Sequence, residues 1–319
     1  MSFRYAEAHN TKGPGDARPT ALQIVNDNDL EGKLEGKVAF VIGTSSGIGI
    51  ETVRALKATG MRVFAAAQIS RKQKQPSLIH LDLNSLACVR KCAKEFLEKS
   101  DKLNILVNNA AIMVCPKGRT TDGFELQFGT NHLAHFLLFN LLKEILLKSA
   151  TAQFASCVVN VSSTEHRVSQ IHFENMNLKG IYIPFMGYRQ SKLANIYMAN
   201  EIERRYGSKN LHSFSLHLSD IWTGLQKYVS DEQMNQCKEN PMVVSHMTEQ
   251  GAATQVWAAL DKEFKGKGDL EGYTILSPGH EKYAYDEEAE KKLWKVSLEL
   301  VGLKDDQLGG FGAIRPDID

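Results

Sequence analysis

The chain has 319 residues, 43% hydrophobic and 24% charged, with a formal net charge of +1, so it holds one large α/β domain or two modest ones and gives no reason to expect nucleic acid or an anionic membrane as a partner. No stretch is long and apolar enough to span a bilayer; the richest, 136–147, is broken by Asn140, Lys143 and Glu144 and reads as buried helix. The N-terminal residues lack the apolar core of a secretory signal, so a cytoplasmic location is expected.

Residues 1–36 are polar, with Gly13, Pro14, Gly15 and Pro19 ahead of the run Asp27-Asn28-Asp29, and read as an extension lying on the surface or partly disordered. From residue 37 short β-rich runs alternate with longer amphipathic ones. Strands are expected at 37–43, 61–67, 78–83, 103–109, 154–163, 211–218 and 272–277. Helices are expected at 48–59, 85–98, 123–148, 187–206, 250–263 and 286–300. Strands apolar throughout and separated by helices imply a parallel sheet covered on both faces. The fold class is therefore α/β, a doubly wound parallel sheet of the Rossmann type, formed as a single domain over 37–319.

Five cysteines (Cys88, Cys92, Cys115, Cys157, Cys237) show no framework-like spacing. Cys88 and Cys92 stand four apart on a predicted helix, but no His or further Cys completes a metal site. Free reduced thiols and no metal are expected.

The first strand runs into Gly43-Thr44-Ser45-Ser46-Gly47-Ile48-Gly49 with a helix directly behind. Glycines there permit a tight turn, close approach of backbone to a pyrophosphate, and close helix–strand packing. The helix N-terminus then turns free N–H groups and a positive dipole end toward the anion.

GxxxGxG after strand one, Asn108-Asn109-Ala110-Ala111 after strand four, Ser163 after strand five, and Tyr188-Arg189-Gln190-Ser191-Lys192 together resemble the short-chain dehydrogenase/reductase family over about residues 37–280. More narrowly, NVSSTEH, the long insert before the tyrosine and YRQSKLAN are similar to the retinol-dehydrogenase and WW-domain-oxidoreductase branch. The resemblance implies a nicotinamide cofactor bound along Gly43, Ser45, Ser46, Gly47, Ile48 and Gly49. It further implies Asp82 against the adenine, Asn109 and Ala110 along the adenosine, and the Ile221 backbone and Thr223 hydroxyl on the carboxamide.

Tyr188 and Lys192, four apart on a predicted helix, project from one face. An ammonium beside the phenol, with the positive ring of the oxidised cofactor, would lower its pKa so that Tyr188 exchanges a proton with the substrate oxygen. The resemblance gives Lys192 the cofactor ribose hydroxyls as well. Ser163 is placed to hydrogen-bond the substrate carbonyl, while strand alternation sends Ser162 to the other face. Asn131 falls inside the long fourth helix; the family reading puts it in a water-linked proton relay reaching Lys192, and an Asn satisfying backbone at a helix irregularity is compatible with that.

Cofactor choice follows from the end of strand two. An acid there would hydrogen-bond the adenosine ribose and repel a 2′-phosphate. The chain instead reads Ala67-Gln68-Ile69-Ser70-Arg71-Lys72, without Asp or Glu, and Arg71, Lys72 and Ser70 could accept a phosphate. NADP(H) is favoured over NAD(H). After strand six, Leu218-Ser219 replaces the family's Pro-Gly, where glycine admits φ > 0; binding is expected to survive with a modified pocket.

Residues 218–249 are expected to cover the substrate, with Trp222, Leu225, Tyr228, Met234, Met242, Val243, Val244 and Met247 among them. Met113, Val114, Phe185 and Met186 would add apolar wall, and the same residues read equally well as core. His166 could polarise a substrate, though a loop histidine is more often solvated. The expected partner is a lipophilic or aromatic alcohol and its ketone or aldehyde, with a homodimer left open. A redox-neutral isomerase or cyclase, favoured by Leu218-Ser219, and a non-catalytic dinucleotide-binding protein are the alternatives.

Overall fold

The computed structural model of the protein describes residues 13–68, 77–219, 221–239, 247–260 and 281–305. The expected strand at 272–277 and residues Ser70, Arg71, Lys72, Met242, Val243 and Val244 lie outside them. Among the described residues, β1 (Val38–Ile42), β2 (Arg62–Ala67), β3 (Leu78–His80), β4 (Ile105–Asn108), β5 (Ser156–Val161) and β6 (Leu211–Leu216) form one sheet of order β3-β2-β1-β4-β5-β6. Every pairing is parallel. β1, β4 and β5 are buried along their whole length, as a sheet covered on both faces requires.

The helices are α1 (Ala21–Asp27), α2 (Ile48–Ala58), α3 (Leu86–Lys99), α4 (Leu126–Phe128), α5 (Ala134–Ser149), α6 (Pro184–Tyr206), α7 (Asp231–Glu239), α8 (Thr248–Leu260) and α9 (Glu287–Leu300). Because side chains alternate along a strand, β1 divides its residues between two cores. Val38, Phe40 and Ile42 join Phe96 of α3, Phe136 of α5, Leu193 of α6 and Trp294 of α9. Ala39 and Val41 join Ile24 of α1, Leu56 of α2 and Trp257 of α8. The Phe40 and Phe96 rings stack at 4.7 Å, so truncating either to Ala should cost about 3–5 kcal/mol. Chain order reverses between β1 and β4, which opens a crevice at the carboxyl ends of these strands, where doubly wound sheets bind ligands.

Two segments differ from the sequence reading. Residues 21–27 are not a solvated extension: Ala21, Ile24 and Val25 are buried in the second core as α1 packs on α2 and α8. Their i, i+3, i+4 spacing is a short helical stripe, tied down further by Gln250 of α8, whose side chain bonds the Gly15 N–H and the Asp16 and Arg18 carbonyls. The helix expected at 123–148 starts at α4, capped by Glu125, and passes through a π-helical segment, Gly129–Leu133, before α5.

Candidate active site

At the end of β1 the chain turns on Gly43, φ 87°. A Cβ there would stand 2.7 Å from Ala110, and one on Gly49 only 2.1 Å from the Gly43 carbonyl oxygen. Both positions therefore require glycine, and the close contact seats the first turn of α2 directly against β1. The turn is braced from behind. Asn109 donates to the carbonyls of Ile42 and Gly43 at 3.2 and 3.1 Å. Its own oxygen accepts from Gln255 of α8 at 2.8 Å, and Gln255 accepts from Thr52 of α2 at 2.8 Å. The α2 N-terminus is preceded by Gly47 with no side-chain cap, which leaves amide N–H groups for an anion.

The turn forms one wall of a cavity of about 400 Å³. Opposite stand Ser163, beyond the end of β5, and Tyr188 and Lys192, one turn apart on α6. Of the residues singled out by sequence, Gly43, Ser45, Ser46, Gly47, Ile48, Asn109, Ala110, Ser163, Tyr188, Lys192, Ile221 and Thr223 all line it. Gly49 lies just beneath the turn. Asn131 is fully buried behind the wall. Asp82 stands apart from the cavity, accepting from the Asn84 N–H at 3.0 Å in its own turn, and Arg71 falls outside the described residues.

The Ser163 hydroxyl stands beside the Tyr188 phenol, near enough to act on it. The neighbouring Ser162, which also lines the cavity, donates to the Lys192 carbonyl at 2.7 Å. The Lys192 ammonium sits 5.4 Å from the centre of the Tyr188 ring and donates to the Val161 carbonyl at 3.0 Å. Burial dominates both groups. It pushes the Tyr188 phenol well above its ordinary range, with the neighbouring Ser163 hydroxyl opposing, and lowers Lys192 to about 7. The expected lowering of the phenol by Lys192 is not seen: desolvation is the largest influence on Tyr188, and Lys192 is not among the groups that shift it.

Asn131 occupies the π-helical segment, where Ala134 N–H reaches back five residues to the Gly129 carbonyl. Its carboxamide bonds both the N–H and the carbonyl of Ile112 at 2.9 Å and donates to Ser191 at 3.0 Å. Its main-chain carbonyl faces His135 Nδ1 at 3.0 Å. Its direct contacts are thus with Ile112, Ser191 and His135.

Beyond β6, Ser219 adopts φ 72°, the left-handed backbone that glycine supplies most easily. Ser219 thus takes the positive φ for which the sequence reading expected glycine. Leu218, Ser219, Leu225, Gln226 and Lys227 join the cavity wall, whereas Trp222, Tyr228 and Met234 do not. Of the other apolar candidates Met113 lines the cavity, and Val114 is buried behind it. His166 is buried, not solvated, with Nδ1 2.6 Å from the Ser163 carbonyl oxygen. A second hollow of about 310 Å³ adjoins at Ser45, lined by Lys57, Gln68 and Ser77 among others and by no Asp or Glu. Among the described residues no cluster of His, Cys, Asp or Glu could hold a metal, and Cys88, Cys92, Cys115 and Cys157 are free thiols.

Sequence reasoning missed Gln255 and Gln127. A polar residue inside an otherwise apolar helix, as Gln255 is in α8, was the available signal.

Residues 37–233 match the short chain dehydrogenase family model. The chain belongs to the short-chain dehydrogenase family. It is 45% identical to short-chain dehydrogenase/reductase prx1 of Penicillium roqueforti, over 95% of this chain and 96% of that protein. It is 34% identical to human retinol dehydrogenase 11, over 85% and 87%. Among solved structures, a Mycobacterium paratuberculosis protein shares 28% identity with a TM-score of 0.66, covering 90% of this chain and 98% of that one. The Pseudomonas aeruginosa RhlG/NADP complex superposes with a TM-score of 0.60 at 21% identity, over 75% and 95%, and shows the shared fold. The chain is thus an oxidoreductase of this family with a nicotinamide cofactor, and it resembles the retinol dehydrogenases. Among the described residues no helix is long and apolar enough to cross a membrane.

Proposed function

We propose that the protein is an NADP(H)-dependent oxidoreductase that interconverts a lipophilic or aromatic alcohol and its ketone or aldehyde, with Tyr188 as the proton donor and acceptor. The observation that carries this reading is that the buried Tyr188, with Ser163 beside it and Lys192 5.4 Å from its ring, shares one cavity with the glycine turn. Gly43, Ser45, Ser46, Gly47 and Ile48 would cradle the pyrophosphate, and the uncapped α2 N-terminus supplies the donors that an anion needs. Lys192, a buried amine with no carboxylate among its hydrogen-bond partners, suits ribose hydroxyls. The bound nicotinamide would supply or accept the hydride.

In reduction, Ser163 and Tyr188 hydrogen-bond the carbonyl oxygen, so both donors stand where negative charge develops. Tyr188 then gives its proton to the forming alkoxide. Lys192, with its pKa near neutrality, stands beside the phenol and stabilises the phenolate left behind. In oxidation the same groups run in reverse.

Three further observations support the finer choices. No carboxylate lines the hollow at the end of β2, so nothing described there repels a 2′-phosphate. Ile112, Met113, Leu218 and Leu225 give the cavity apolar wall, and several relatives are named retinol dehydrogenases. Ser219 holds the left-handed backbone that a glycine would supply, which counts against the redox-neutral reading. The test is nicotinamide absorbance with NADPH or NADH and a panel of benzaldehyde, benzophenone, acetophenone, decanal and retinal. NADPH consumption with a lipophilic carbonyl, faster than with NADH, is expected. No consumption with any of them, or a preference for NADH, overturns the reading.

A further inference from the structure

Val114 has φ 52°, a left-handed conformation that is a genuine outlier for a β-branched residue. Such a conformation persists only where the surroundings over-determine it. Three side chains do so here. Asn131 holds Ile112 through both backbone groups. Gln127 accepts from the Val114 N–H at 2.8 Å. Tyr182 donates to the Cys115 carbonyl at 2.7 Å.

Gln127 is the centre of this clamp and is completely buried. Its amide nitrogen donates to the Pro184 carbonyl at 2.7 Å and meets the Tyr182 hydroxyl at 3.3 Å. Its backbone N–H, with that of Phe128, is capped by the Glu125 carboxylate. The start of α6 is pressed against the same group: a Cβ on Gly187 would stand 2.8 Å from the Gln127 amide nitrogen and 2.9 Å from Glu125. Gly187 directly precedes Tyr188, and Met113 directly precedes Val114. One side chain therefore fixes both the strained residue behind the Met113 wall and the backbone that delivers the phenol.

We infer that Gln127 is a positioning residue that sets the substrate gap: by holding Val114 left-handed it presents Met113 to the cavity at a fixed spacing from Tyr188, and so limits the bulk of the carbonyl compound accepted. This rests on the reading of Tyr188 as proton donor to a carbonyl. Without the clamp, Val114 relaxes toward ordinary backbone and carries Met113 out of the wall.

The test compares benzaldehyde with benzophenone as substrates with NADPH. Gln127→Ala and Met113→Ala should each raise the benzophenone-to-benzaldehyde ratio of kcat/KM by about tenfold or more, the discrimination that small changes in pocket volume carry. Adding Val114→Asn to Gln127→Ala should bring the ratio back, because Asn tolerates left-handed backbone without the clamp. A merely structural Gln127 would lower the melting temperature and leave the ratio alone. If Gln127→Ala does not fold, Gln127→Leu, which fills similar space but offers Val114 no acceptor, and Met113→Ala carry the comparison. A wild type that reduces benzaldehyde, with a ratio unmoved in the folded variants, overturns the inference alone. A wild type that reduces neither carbonyl overturns it together with the functional reading on which it rests.

Discussion

The Asn131 carboxamide closes a two-bond ring with the backbone of Ile112, 2.9 Å in each direction, and so joins the π-helical segment to the loop that follows β4. Asn131→Ala strands the Ile112 N–H and should cost about 1–3 kcal/mol of stability, read as a lower denaturation midpoint at unchanged m-value. Turnover should fall more than NADPH affinity, because Ile112 lines the cavity and Ser191 directly precedes Lys192. Equal losses in both would mean that the ring serves cofactor binding alone.

Ser219 offers a gain of stability. A side chain held at φ 72° carries a left-handed penalty of roughly 1–2 kcal/mol, partly offset by the greater freedom of an unfolded glycine. Ser219→Gly should raise stability by up to about 1 kcal/mol and leave NADPH affinity intact or improved. A loss of stability would mean that the Ser219 side chain contributes something its backbone conformation does not reveal.

Much of this was legible beforehand, for physical reasons that differ by element. β1, β4 and β5 are buried on both faces, and such strands are apolar at every position. The glycine turn was legible because Gly43 and Gly49 have no room for a Cβ. Helix α1 was missed because Ala21, Ile24 and Val25 make only a single stripe among polar neighbours. The break in the 123–148 helix depends on the pairing of Asn131 with Ile112, a tertiary contact. His166 is buried by its bond to Ser163 and by Tyr283, whose hydroxyl donates to the His166 carbonyl at 2.9 Å across 117 residues of chain. The strain at Val114 is likewise imposed from outside its own segment.

Acid stability should report the buried histidines. Burial lowers His132 to about 3 and His135 to about 4, whereas an unfolded imidazole takes its proton near pH 6.5. Between these values the unfolded state binds more protons, so stability falls as pH drops from about 6.5 toward 4, by up to about 1.4 kcal/mol per pH unit for each histidine. His132→Gln, which removes one titrating group, should flatten the slope in denaturant titrations; an unchanged slope would show that His132 is already charged in the fold. Lys192, lowered to about 7, makes stability rise with pH above 7 by the same sign rule, and Lys192→Met should abolish that rise.

Cofactor choice is tested at Arg71. The end of β2 offers no acid, and Arg71 is the expected partner of a 2′-phosphate. A charge-assisted bond of about 1.5–3 kcal/mol corresponds to roughly tenfold to hundredfold in affinity, so Arg71→Ala should weaken NADPH binding by that factor and leave NADH unchanged. An equal effect on both cofactors in a fluorescence titration would place Arg71 elsewhere.

The central claim is that the Tyr188 hydroxyl gives its proton to the substrate. Tyr188→Phe removes that one atom from a ring that stays packed, so the fold and NADPH affinity should persist. The measurement is the single-turnover rate of NADPH oxidation with the best carbonyl of the panel, wild type against Tyr188→Phe, with cofactor saturating. A positioned proton donor contributes about 10²–10⁴-fold, so the rate should fall within that range while NADPH binding holds. A Tyr188→Phe protein that turns over at close to the wild-type rate would contradict the role given to Tyr188.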